Sequence, residues 1–128
     1  MGKRIVTTSQ APAAVGPYSQ AVVLDGLVWT CGQIALDPAT GVLVGSDAAA
    51  QADRALQNID AILQAAGSSL DQVVRTTVYL ANMDDFGAVN EVYARYLSND
   101  PPARACVEVS RLPLGALVEI DAIAAVDV

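Results

Sequence analysis

A chain of 128 residues with 53% hydrophobic content can bury a real core but is too short for two ordinary domains, so one domain over residues 1–128 is expected. A formal charge of −7 with no basic stripe would repel a phosphate backbone, which disfavours nucleic acid as a partner. The absence of histidine removes triads, imidazole proton shuttles and nearly all transition-metal sites, and the only lysine, Lys3, offers little for Schiff-base chemistry.

What remains for chemistry is carboxylate, arginine, tyrosine, thiol, amide, backbone and bound water. No apolar run approaches the roughly 18 residues of a membrane span, and the N-terminus lacks a signal-peptide pattern. A soluble, cytoplasmic protein is expected, with no membrane partner. Cys31 and Cys106 lie far apart without CxxC spacing, which suggests buried reduced thiols and no metal.

In chain order, Lys3 to Thr7 reads as a short strand, followed by a proline-broken loop through Gly16-Pro17-Tyr18. Ala21 to Leu24 and Leu27 to Ile34 read as strands joined by a tight Asp25-Gly26 turn, with a further turn at Asp37 to Gly41. From Asp47 to Ala66 apolar residues recur at one-sided helical spacing, with Ser46 or Asp47 as N-cap and Gly67 as terminator. Val73 to Leu80 is rich in β-branched residues and reads as a strand. Asp84 to Leu97 reads as a second helix with Phe86, Val89, Tyr93 and Leu97 on its inner stripe. Ala103 to Val109 and Leu117 to Val126 complete the set as strands around Leu112-Pro113-Leu114-Gly115.

Two helices can cover one face of a sheet. The strands Leu27 to Ile34, Val73 to Leu80 and Leu117 to Val126 are nevertheless apolar at most positions on both faces, so another copy of the chain is the expected cover for the second.

Four polar or charged residues stand out. Asn90 falls four residues after Phe86 and three before Tyr93, on the expected buried stripe, where it is either a loop-pinning amide or a group facing a cavity. Arg104 alternates onto the face of Cys106 and is either ion-paired or a two-pronged holder of a carboxylate. Glu119 sits in the apolar run Leu117-Val118-Glu119-Ile120 and is either salt-bridged or a base for a water molecule, its pKa raised by partial burial. Tyr18 is either an aromatic loop anchor or a hydroxyl pointing into a cleft.

Four blocks resemble the RidA (YjgF/UK114) family along nearly the whole chain. They are Ala11-Pro12 through Gly16-Pro17-Tyr18-Ser19-Gln20-Ala21, then Gly32-Gln33-Ile34-Ala35-Leu36-Asp37-Pro38 with Thr40-Gly41. Next comes Thr76-Thr77-Val78-Tyr79-Leu80 running to Phe86, Asn90 and Tyr93. Pro102-Ala103-Arg104-Ala105-Cys106-Val107-Glu108-Val109 with Leu112-Pro113 and Val118-Glu119-Ile120-Asp121-Ala122-Ile123-Ala124 is last and most specific.

The resemblance implies an α+β, chorismate-mutase-like domain with a mixed six-stranded sheet, two helices on one face and a homotrimer with three clefts between subunits. It implies hydrolysis of 2-iminopropanoate and 2-iminobutanoate to 2-keto acids and ammonia without a cofactor. Arg104 would grip the substrate carboxylate, while Glu119 and the backbone at Cys106 would hold the attacking water. Tyr18, Cys31, Gly32 and Asn90 would line the pocket, Cys31 standing where the family commonly has a serine. Arg104 and Glu119 of one site are expected from different subunits. Two rival readings are a non-catalytic carboxylate-binding or chaperone-like trimer and a ribonuclease.

Overall fold

The computed structural model describes residues 2–126. β1 (Arg4–Val6), β2 (Ala21–Leu24) and β3 (Leu27–Thr30) precede α1 (Ala48–Ala66) and β4 (Val73–Leu80), and then come α2 (Phe86–Leu97), β5 (Ala103–Glu108) and β6 (Val118–Ala125). The strands form a single six-stranded sheet in the order β1-β2-β3-β6-β4-β5. Every pairing is antiparallel except β4 with β5, which α2 connects as a crossover. The mixed sheet with two helices is the expected architecture.

Local chemistry explains the joints. Asp25 and Gly26 both take positive φ, 50° and 79°, which lets a two-residue turn join β2 to β3. Asp47 caps α1 by accepting a hydrogen bond from the Ala50 N–H at 2.8 Å, and Gly67 ends it in the left-handed conformation. The α1 stripe of Ala52, Ala55, Leu56, Ile59, Ile62 and Leu63 is fully buried with Val28, Val78, Leu80, Val118 and Ile120.

Both helices cover the same face. Tyr93 of α2 shares a 2.7 Å hydroxyl–hydroxyl hydrogen bond with Thr76 of β4, whose register partner on β6, Ala122, lies in the core with α1. The other face carries Ile5, Val22, Trp29 and Ile123, with Tyr79 and Val107 further along, and Trp29 remains 48% exposed. Among the described residues no helix is long and apolar enough to cross a membrane.

Two details differ from the sequence expectation. β3 stops at Thr30, four residues short of Ile34, because the chain bulges. Trp29 pairs with Ile123 and Gln33 with Ile120, so four steps along one side (33 − 29) oppose three along the other (123 − 120). The Ala122 N–H, which a regular ladder would bond to backbone, donates to the Thr30 side-chain oxygen at 3.0 Å.

Asn90 is not on the buried stripe of α2. That stripe is Val89, Val92, Tyr93 and Leu97, while Phe86 and Asn90 lie exposed on the flank of α2. At about 100° per residue Asn90 stands about 100° round the helix from Val89 and about 160° from Val92, which turns it out of the stripe those residues centre. The Asn82 side chain accepts from the Asp84 N–H at 2.9 Å, closing a tight turn at Met83–Asp85, and α2 begins at Phe86.

Candidate functional site

β6 alternates strictly. Val118, Ile120, Ala122 and Ala124 go into the core, and Glu119 and Asp121 onto the opposite face. Glu119 therefore faces the bulge at Thr30–Gln33, the segment that runs beside β6 in the same chain. A Cβ added to Gly32 would stand 2.8 Å from the Glu119 Cδ and nearer still to its carboxylate oxygen, so only glycine leaves that space. Burial, and then the negative charge of Asp121, push the Glu119 pKa above the usual carboxylate range. Asp121 is raised too, chiefly by burial, although the Tyr79 hydroxyl donates to it at 3.2 Å.

Glu119 lines a cavity of about 560 Å³ together with Tyr18, Cys31, Gly32 and Gln33. Gln33 donates to the Cys31 Sγ at 3.0 Å, and burial is the main reason the Cys31 thiol is pushed up and stays protonated. The Tyr18 hydroxyl accepts from the Val15 N–H at 3.3 Å, which pins the loop on itself. Tyr18 thus anchors its loop and is also part of the cavity wall.

Arg104 lies elsewhere. Thr76 of β4 is its register partner, so it sits on the helix-covered side of the sheet. Its guanidinium carbon lies 4.7 Å from the centre of the Tyr93 ring and 5.5 Å from that of Phe86. Its Nη1 donates to the Asn90 Oδ1 at 2.7 Å. Those partners are two ring faces and an amide, which leave the charge unneutralised. Arg104, Asn90 and Tyr93 line a separate open groove of about 460 Å³ along α2 and Pro101-Pro102.

One chain thus brings Tyr18, Cys31, Gly32 and Glu119 together, and separately Asn90 with Arg104. It does not bring the two sets together. Glu119 is opposite Tyr79 and Tyr79 opposite Val107, so Arg104 is two strands away, about 10 Å laterally, and three residues along, again about 10 Å. It also points to the other side of the sheet.

Cys106 shares the Arg104 face, packs against the core, and has a thiol raised by burial despite the arginine. β5 is an edge strand whose Val109 N–H donates to the Leu80 carbonyl. By the alternation of a parallel strand, the backbone N–H and C=O of Cys106 turn away from β4 toward the open edge.

Buried amides missed from the sequence support both regions. Gln20 donates to the carbonyls of Thr8, Ala11 and Pro12 and accepts from the Thr8 N–H, fixing the loop that carries Tyr18. Asn58, fully buried, donates to the carbonyls of Ile34 and Leu36 and accepts from Arg54, tying the cavity wall to α1. Its signal was visible as an amide inside the apolar stripe of α1. Phe86 gave no such signal, because its contact depends on where β5 ends up.

Residues 8–126 match the family model described as Endoribonuclease L-PSP. The chain belongs to the RidA (YjgF/UK114) family. This RidA-family chain is 51% identical over 126 residues to Protein DfrA of Myxococcus xanthus, covering 97% of this chain and 96% of that protein. It is 49% identical over 122 residues to the 2-iminobutanoate/2-iminopropanoate deaminase of Mus musculus, covering 95% and 90%. The crystal structure of E. coli TdcF with bound serine matches with a TM-score of 0.92 at 40% identity, covering 97% of this chain and 99% of that one.

Proposed function

We propose that the protein is a homotrimeric deaminase that hydrolyses 2-imino acids and their enamine tautomers, such as 2-iminopropanoate and 2-iminobutanoate, to 2-keto acids and ammonia. One observation carries the reading. Arg104 and Glu119 are each prepared for chemistry, yet they lie on opposite faces of the sheet and cannot meet around a small substrate within one chain. A neighbouring copy seated on the exposed apolar face brings its Arg104 groove to this chain's Glu119 cavity, and covers Trp29 in doing so.

In that cleft the Arg104 fork, held by Asn90 and the two rings, binds the substrate carboxylate. The protonated imine is already electrophilic. Glu119, ionised and with raised proton affinity, orients a water together with the outward backbone of Cys106 and accepts its proton as the oxygen adds to the imine carbon. Glu119 returns that proton to the nitrogen of the resulting carbinolamine, the C–N bond breaks, ammonia leaves, and the hydroxyl proton passes back to Glu119 as the C=O of the 2-keto acid forms. Because such imines also hydrolyse unaided, the barrier reduction required is modest and calls for no cofactor.

The identity to the mouse deaminase supports this chemistry, and the serine bound to TdcF supports an amino-acid-like ligand for the fold. In a coupled assay a pyridoxal-phosphate dehydratase generates the imine, and ammonia and keto acid are followed with and without this protein. Faster release supports the deaminase. Tight binding of a small carboxylate with no rate effect favours the non-catalytic trimer. The family model's name makes ribonuclease the other alternative, which the −7 charge opposes, and a salt-titrated RNA-binding measurement decides it. Native mass spectrometry at micromolar concentration tests the trimer, which a stable monomer excludes.

A further inference from the structure

The wall of the Glu119 cavity beyond Tyr18, Cys31, Gln33 and Glu119 is apolar, and no basic residue lines it. A carboxylate has no partner there. In the single chain the cavity measures about 560 Å³ and continues past Glu119 along Ile34, Leu36, Pro113 and Leu114.

Two apolar side chains at the cavity are unusually open. Val15 is 87% exposed and Leu114 71%. Leu114 also holds φ 58°, ψ 22°, the left-handed region that a residue with a Cβ enters only at a cost, and at 71% exposure burial within the chain repays little of it. The next residue, Gly115, is left-handed as well, so the turn would form more easily with a second glycine. Retaining a strained, solvent-exposed leucine at the cavity points to a contact made with something that enters it.

We propose that the cavity receives the substrate side chain and that Leu114, with Val15, selects imino acids bearing branched or extended apolar side chains. This rests on the deaminase reading and names the substrate class of the same site. With the carboxylate held by the neighbour's arginine and the imine carbon beside Glu119, the side chain is the part left to enter the apolar space. Each added methylene then leaves water for the faces of Leu114, Ile34, Leu36 and Pro113, which favours the larger substrate in the transition state.

The test uses an L-amino-acid oxidase to generate imines from leucine and from alanine, and compares the enzyme-dependent kcat/KM for each. The leucine-derived imine is expected to be preferred by about tenfold or more, and Leu114→Gly, which suits the left-handed backbone, to lower that ratio by about tenfold. A wild-type preference for the alanine-derived imine overturns the inference while leaving the deaminase intact. So does an unchanged ratio in Leu114→Gly, with or without loss of the assembled trimer, since that outcome makes Leu114 a contact between subunits. If neither imine is hydrolysed faster than in buffer, the deaminase reading fails and this inference fails with it.

Discussion

Arg104 is held by side chains that lie beside it, whereas Glu119 is held by a space that a bulging neighbour leaves open. The arginine sits at a sheet edge between two rings and an amide, its charge uncompensated by any carboxylate among its contacts. The glutamate sits toward the middle of the sheet, where Gly32 withholds a side chain and burial raises its proton affinity. One region presents a preformed positive fork and the other a preformed base beside an apolar cavity. Each lacks what the other supplies, and their separation across the sheet is why the proposed site joins two subunits.

The most severe break of this comparison removes one half from each subunit. Arg104→Ala and Glu119→Ala should each reduce kcat/KM by about 100- to 10,000-fold. In a 1:1 exchanged mixture, a cleft is intact only when its arginine side comes from one variant and its glutamate side from the other. Activity should then return to about a quarter of wild type. Verified exchange without recovery would sink the shared site.

The next two changes damage one half at a time. Arg104→Lys keeps a charge but loses the planar fork and its stacking between Phe86 and Tyr93, so kcat/KM should drop about 100-fold. Near-wild-type kinetics would make Arg104 structural. Gly32→Ala places a methyl against the Glu119 carboxylate and should reduce kcat about 10- to 100-fold while circular dichroism stays native. Full activity in that variant would mean that Glu119 does not need its observed position.

Much of this was legible in the sequence where a local pattern governs the outcome. The Asp25-Gly26 turn, the stripe and caps of α1 and the odd carboxylate in β6 are local, and each appears where the residues imply. The illegible parts depend on partners distant in sequence. The bulge at Thr30–Gln33 exists relative to β6, some ninety residues later, and within the run Leu27 to Ile34 only Gly32 hints at it, without fixing its register. Asn90 looked buried because Phe86 was counted in the inner stripe, whereas Phe86 lies exposed against Arg104, which is also the partner of Asn90 and belongs to a strand. The roles of Arg104, Cys106 and Glu119 came from family resemblance, since each taken alone had an ordinary structural explanation.

Cys106 offers a milder test of the arginine side. Its thiol is raised by burial and packs inward, and its backbone faces the open edge, so the proposed mechanism uses the backbone and not the side chain. Cys106→Ala should keep kcat/KM within about threefold and lose roughly 1 kcal/mol of stability in urea denaturation. Complete loss of activity in a folded variant would point to thiol chemistry instead.

The smallest expected effect concerns Asp121, two residues from Glu119 on the same face. Glu119 is raised first by burial and second by the charge of Asp121, so Asp121→Asn removes the second cause and leaves the first. The Glu119 pKa should then fall. A base works only when ionised, so activity is lost as pH drops through that pKa, and a lower pKa carries the acidic limb of kcat/KM to lower pH. Tyr79 and Arg75 both favour the ionised form of Asp121, the first by hydrogen bond and the second by charge. Tyr79→Phe therefore deletes a hydrogen bond without deleting the negative charge and should move the limb less than Asp121→Asn does. An acidic limb that stays in place, or moves upward, in Asp121→Asn would mean that the two carboxylates do not communicate or that the limb belongs to another group.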